Sequence, residues 1–114
     1  MNAREAGAYL ELGVLYQGQD RLSEAAADFE KAIASDSNNV DAHLHLGRSH
    51  LCQGRWAEAA AEFQRVVALD PRNDRGYSGL WAAYCGLGRS DQAATALARA
   101  LAINPASALL ALNC

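Results

Sequence analysis

Residues 6–39 read AGAYLELGVLYQGQDRLSEAAADFEKAIASDSNN, and residues 40–73 follow the same plan as VDAHLHLGRSHLCQGRWAEAAAEFQRVVALDPRN. Leu12 and Leu46 are 34 residues apart, and so are Phe29 and Phe63. A fixed period of this length indicates stacked copies of one supersecondary unit, in which each copy contacts its neighbours along the chain. The sequence therefore predicts a repeat array with extended surfaces.

Each unit contains two segments whose apolar residues recur at helical spacing. In the first segment of the first unit, the residues at i, i+3, i+4 and i+7 are Tyr9, Leu12, Gly13 and Tyr16. A polar turn that contains glycine separates this segment from a second apolar stripe. The sequence predicts a single domain over residues 1–114, with six helices in three antiparallel pairs at 6–39, 40–73 and 74–107.

The last residues of the chain are expected to begin a further helix. Ser107 is a suitable N-cap, and residues 108–114 would then start the first helix of a fourth unit. This segment is apolar, whereas exposed stacking surfaces need a polar cap. We therefore expect the chain to be a fragment of a longer array, or its end to be covered by a partner or a second copy.

Composition argues against several classes of function. The net charge is −3 and the charges are mixed along the chain, so no clustered cationic surface for nucleic acid is expected. No apolar run approaches the length that spans a membrane, and the N-terminus lacks the apolar core of a signal peptide. Three cysteines give no disulfide framework. Reduced, cytoplasmic surroundings are the default expectation.

The repeat resembles the tetratricopeptide repeat (TPR), whose pattern has an aromatic residue, Leu-Gly, Tyr, and then Ala, Phe and Pro at set offsets. The matching residues of the first unit are Tyr9, Leu12, Gly13, Tyr16, Ala25, Phe29 and Ala32. The resemblance implies an all-α, right-handed α-α superhelix of three helix-turn-helix repeats plus a partial fourth. It also implies a scaffold or adaptor without a cofactor. Trp81 departs from the pattern because it stands where Gly13 and Gly47 stand, so either the third pair packs less closely or the indole points toward whatever follows this pair.

Such arrays bind a peptide or a helix of a partner protein in a concave groove lined by the first helix of each pair. The residues that the resemblance assigns to this predicted groove are Leu10, Glu11, Val14, Gln17, Leu44, His45, Arg48, Cys52, Arg75, Ser78, Gly79 and Ala82. Their apolar character favours an apolar ligand, with Arg48 and Arg75 pairing with acidic groups on it. The clamp that holds a C-terminal carboxylate in some TPR proteins is not expected here, since only Arg75 fits it by charge.

Two alternatives remain open at this stage. The chain could self-associate through the ends of the array, for which the candidate residues are Trp81, Leu109, Leu110 and Leu112. It could also be the targeting portion of a larger multidomain enzyme. In the chain itself no phosphate loop, nucleophile elbow or zinc-hydrolase motif appears, so catalysis is not expected.

A metal site is not expected, although three histidines and a cysteine lie in one unit. His43 and His50 occupy aromatic positions of the packing stripe and are predicted to be buried structural residues. His45 and Cys52 are seven residues apart, roughly 10 Å along a helix, which is too far to share an ion. The acidic residues of the second helices are predicted to form a solvated outer face; these are Glu24, Asp28, Glu58 and Glu62.

Overall fold

A computed structural model of the chain describes residues 3–107, with side chains from residue 4. The described part contains six α-helices and no strand, which confirms the predicted all-α solenoid of helix pairs. The helices are α1 (Ala3–Gly18), α2 (Leu22–Ser35), α3 (Val40–Cys52), α4 (Trp56–Leu69), α5 (Asp74–Gly86) and α6 (Ser90–Ile103). The helix predicted at 108–114 lies outside the described residues.

Local sequence signals at 34-residue spacing set the helix boundaries. Asn39 and Asn73 are the N-caps of α3 and α5, where their side chains accept hydrogen bonds from the amides of Ala42 and Gly76. The turns inside the second and third pairs contain Gly54 and Gly88, with φ of +74° and +73°. This left-handed conformation suits glycine because it has no Cβ.

Contacts between a phenylalanine ring on one helix and a glycine on its neighbour set the distance between the helices. Phe29 is fully buried, and a Cβ on Gly13 would lie 2.5 Å from Cε1 of its ring. Phe63 lies between two glycines, since a Cβ on Gly47 or on Gly79 would overlap its ring. The absence of a side chain on α3 and α5 therefore lets both helices approach α4 closely.

The third pair exchanges the positions of the large and small residues. Trp81 is half-buried and packs against the cluster of buried residues that α3, α4, α5 and α6 share. Leu97 stands at the position of Phe29 and Phe63, so the smaller partner is now on the second helix. The third pair therefore has its aromatic residue on α5, whereas the first two pairs have a phenylalanine on the second helix.

His43 and His50 of α3 are buried, as expected for structural residues. Both ring nitrogens of His43 are engaged: Nδ1 lies 2.6 Å from Oε2 of Glu62, and Nε2 donates to the carbonyl of Ser37 over 2.8 Å. His50 is also buried, and its Nδ1 has no hydrogen-bond partner among residues 3–107.

One expectation for the second helices is wrong in part. Asp28 is buried and Glu62 is half-buried against His43, so these two carboxylates do not belong to a solvated outer face. Glu24 and Glu58 are exposed, as predicted. The helical period places Asp28 and Glu62 at the same position of consecutive units, on the boundary where the two helices of a pair meet.

Candidate functional site

The predicted groove is assigned to the first helices of the three pairs, and these helices lie side by side in the order α1, α3, α5. Its exposed members are Glu11, Val14, Arg48 and Arg75. Its half-buried members are Leu10, Gln17, Leu44, His45, Cys52 and Ala82. Ser78 and Gly79 are buried. Ten of the twelve side chains are therefore at least partly accessible.

Gln17 holds the first and second units together across this surface. Its Nε2 donates to the backbone carbonyl of His45 over 3.3 Å and to Oγ of Ser49 over 3.1 Å. Both acceptors are on α3, so one side chain of α1 fixes the position of the neighbouring first helix. Gln17 is thus a structural member of the groove, and its amide is already used.

His45 is the central polar residue of the groove. Its ring stacks on Phe29, with the centroids 5.4 Å apart and the planes inclined by 16°. Burial lowers the pKa of His45; the carboxylate of Asp41 opposes this shift, and the charges of Arg48 and Arg75 add to it. Both guanidinium groups therefore lower the pKa of the same imidazole. Cationic groups of α3 and α5 thus lie in one region.

The apolar part of the groove lies on α1 and α3. Leu10 packs against the buried cluster of α2 and α3, and Leu44 packs against the cluster around Phe63. Val14 is 42% exposed, although it is a large apolar side chain. The groove thus combines partly accessible aliphatic side chains with nearby cationic groups.

Ser78 and Gly79 are not accessible to a ligand. Ser78 donates from Oγ to the carbonyl of Ser107 over 3.2 Å, so the turn after α6 covers it. Gly79 faces the ring of Phe63. We leave both out of the ligand-contacting set that the sequence predicted.

The two cysteines in the described part of the chain have different environments. Cys85 is a free, exposed thiol, whereas Cys52 is disulfide-bonded, which the expectation of reduced cysteines did not include. Cys52 therefore offers no thiolate to an ion in this state. Within residues 3–107, no group of three or more His, Cys, Asp or Glu side chains is arranged to hold a metal.

A second concave feature lies between α5 and α6, and the sequence did not predict it. This open crevice of about 350 Å³ is lined by Tyr77, Leu80, Tyr84, Asp91, Gln92, Thr95, Ala96 and Arg99. Ala96 stands at the position of Glu62, and Tyr77 at the position of His43. At these positions the third unit has no counterpart of the contact between His43 and Glu62.

Family comparison agrees with this architecture. A model of the tetratricopeptide repeat matches residues 10–74, and a second model with the same description matches residues 50–112. The chain belongs to the tetratricopeptide repeat family. A search of curated proteins finds no matching sequence.

Solved TPR domains share the fold. The first TPR of Spaghetti (RPAP3) bound to the HSP90 peptide SRMEEVD is 23% identical with a TM-score of 0.88, and the match covers 90% of this chain and 82% of that one. The Arabidopsis OM64 TPR domain is 19% identical with a TM-score of 0.90, covering 96% and 93%. MamA is 27% identical with a TM-score of 0.84, and this chain covers 61% of it.

These findings support a protein-interaction module. TPR domains typically bind other proteins and are typically not enzymes. Two of the similar structures, both of TPR domains of Spaghetti (RPAP3), contain a bound HSP90 peptide. None of the helices described at 3–107 is both long and apolar enough to cross a membrane.

Proposed function

We propose that the chain is a scaffold or adaptor that binds a peptide or helix of a partner protein in the predicted groove. The ligand carries both apolar and acidic side chains. The observation that carries this proposal is that an exposed apolar side chain, Val14, occurs together with two arginines whose charges lower the pKa of His45. Apolar anchors enter a groove of aliphatic side chains, while carboxylates of the ligand pair with Arg48 and Arg75.

The ligand's side chains, not its C-terminus, provide the acidic groups in this mechanism. The first and second TPR of Spaghetti (RPAP3) bind the peptide SRMEEVD, which is acidic. In this chain Leu10, Val14 and His45 stand at positions of the carboxylate clamp, and Gly79 is buried. We therefore propose that glutamate or aspartate side chains of the ligand contact the arginines, and that a free C-terminal carboxylate is not required.

A peptide array tests the proposal. The purified chain is incubated with short peptides that vary in apolar content, in charge and in whether the C-terminus is free or amidated. We expect the bound peptides to combine Leu, Ile, Val or Phe with Asp or Glu, and amidation to change affinity less than twofold. Binding restricted to free C-termini, or no preference for acidic peptides, would contradict the mechanism.

A variant with two exposed residues of the predicted groove substituted tests whether the ligand binds there. Val14→Asp with Arg75→Glu changes one apolar and one cationic contact without altering a buried side chain. We expect at least a tenfold loss of affinity for the selected peptides, which corresponds to about 1.4 kcal/mol. Arg65→Glu is the matched control, because Arg65 is an exposed arginine on α4, outside the groove. Equal losses in the two variants would point to net charge and exclude the groove as the cause.

A further inference from the structure

Two leucines on α1 are exposed at positions that are buried in the other units. Leu12 is 37% exposed, whereas its equivalents Leu46 and Leu80 are 3% and 5% exposed. Leu15 is 59% exposed, although Ser49 and Ala83 at the same position are fully buried. The sequence had placed Leu12 on the packing stripe, and that expectation is wrong for this unit. We call the surface formed by Leu12 and Leu15 the α1 face.

The positions equivalent to Leu12 are buried by the second helix of the preceding unit. Leu46 of α3 packs in one cluster with Ala26 and Phe29 of α2. Leu80 of α5 packs in another with Ala60 and Phe63 of α4. The α1 face therefore has the shape and chemistry that receives a second helix of this repeat, and among the described residues no such helix precedes it.

The last described helix carries the surface that matches. Ala94 of α6 is exposed, whereas Ala26 and Ala60 at the same position are buried against the following first helix. Leu101 of α6 is 39% exposed, although Ile33 at its position is half-buried. We call the surface formed by Ala94 and Leu101 the α6 face.

We propose that two copies of this chain associate head to tail, with the α6 face of one copy packed on the α1 face of the next. The contact repeats the packing of α2 on α3 and of α4 on α5, so the geometry that this chain already uses internally specifies the interface. The occupant of the α1 face is thus a second copy.

A polar pair at the edge of the interface is also complementary. Within the chain, Gln53 donates from Nε2 to Oγ of Ser23 over 3.0 Å, which joins the end of α3 to the start of α2. By the repeat interval, Gln19 stands at the position of Gln53, and Asp91 stands at the position of Ser23. In the assembly the amide of Gln19 in one copy meets the carboxylate of Asp91 in the next, as donor and acceptor.

The association is open-ended and weak. A head-to-tail contact is heterologous, so it leaves one α1 face and one α6 face free at the ends of every oligomer. The area is that of one helix packed on its neighbours, at the low end of stable interfaces. We therefore expect a series of oligomers whose mean mass rises with concentration.

Light scattering coupled to size exclusion tests the proposal on the whole chain. The mean mass should rise above the monomer's 12.1 kDa as concentration increases from micromolar to millimolar. Leu15→Glu should return it to monomer. Val14→Asp, on the same helix but in the groove, is the matched control and should leave the mass unchanged. Circular dichroism verifies that both variants are helical, and both side chains are exposed, so neither substitution disturbs the core.

Mixing two variants tests the polarity of the contact. The Leu15→Glu chain retains its α6 face, and an Ala94→Glu chain retains its α1 face. Each variant alone should be monomeric, and an equimolar mixture should form a dimer that contains one copy of each. A mass that stays at the monomer value up to millimolar concentration, equal loss of mass in Leu15→Glu and Val14→Asp, or a mixture without the mixed dimer would each overturn the proposal.

Discussion

The imidazole of His45 stacks on the ring of Phe29, and this contact joins the core of the first unit to the groove of the second. Phe29 is fully buried, so it offers His45 a rigid apolar surface on one side. The stacking withdraws the imidazole from water, and burial is the main reason why its pKa is lowered. One side chain thereby links packing to the electrostatics of the site.

The lowered pKa of His45 predicts that stability falls with acidification. In the unfolded chain the pKa of a histidine is about 6.5, so below that pH the unfolded state binds more protons than the folded state. Stability from this residue is fully present above about pH 6.5 and is lost as the pH falls towards the lowered pKa of the folded state. Urea unfolding of the wild type across this window measures the loss.

His45→Gln is the comparison variant for that experiment. Glutamine does not titrate, so the variant should lose less stability than the wild type over the same pH interval. All other ionisable groups are the same in the two proteins, so their effects cancel in the difference. If the two proteins lost equal stability between neutral pH and about pH 5.5, the proposed role of His45 would be excluded.

Because α4 and α5 approach closely at Gly79, adding a single methyl group there should strongly lower the stability of the fold. A Cβ at Gly79 would overlap the ring of Phe63, which is itself buried. Gly79→Ala should therefore destabilise the fold by about 1–3 kcal/mol because the packed ring must move. Chemical denaturation monitored by circular dichroism measures this difference.

Gly7→Ala is the matched control for that substitution. Gly7 also lies within a helix, but a Cβ there would have no atom within 4 Å. Because the space around Gly7 outside its own helical turn is open among the described residues, Gly7→Ala should stabilise the protein by about 0.5–1 kcal/mol, since alanine loses less backbone entropy in a helix. Destabilisation by both substitutions would show that general helix effects, and not the contact with Phe63, are responsible.

His43 and Glu62 should be energetically coupled. The two side chains meet across 2.6 Å, and His43 is buried. In a double-mutant cycle with His43→Phe and Glu62→Gln, we expect a coupling of about 1–2 kcal/mol from unfolding free energies. Arg21 and Glu24 form the reference pair, and because both are about half exposed their coupling should be much smaller. Equal coupling in the two pairs would refute a special contribution of the His43 contact.

The repeat interval predicted the fold because each unit carries its own signals. Asn39 and Asn73 cap helices at equivalent positions, and glycine faces phenylalanine in the first two units. These are local features, or contacts between units that repeat with the sequence. The six helices therefore followed from the sequence alone.

The site was less predictable because accessibility depends on non-local contacts. Ser78 is buried by a turn 29 residues further along the chain, a contact that no helical period contains. Leu12 has the same identity as Leu46 and Leu80, yet it is 37% exposed, because no second helix among the described residues packs on α1 as α2 packs on Leu46. A period specifies which residues are equivalent, but burial also requires the neighbour to be present.

The position of Phe63 between Gly47 and Gly79 has a consequence for how the molecule opens. Its ring belongs to the second unit by sequence, but it is in contact with both the second and the third unit. Neither unit can separate without exposing this ring to water, so amide protons of α3, α4 and α5 should exchange with solvent in one concerted event. The unit that the sequence repeats is therefore not the unit that unfolds; the cooperative block spans the boundary between two repeats.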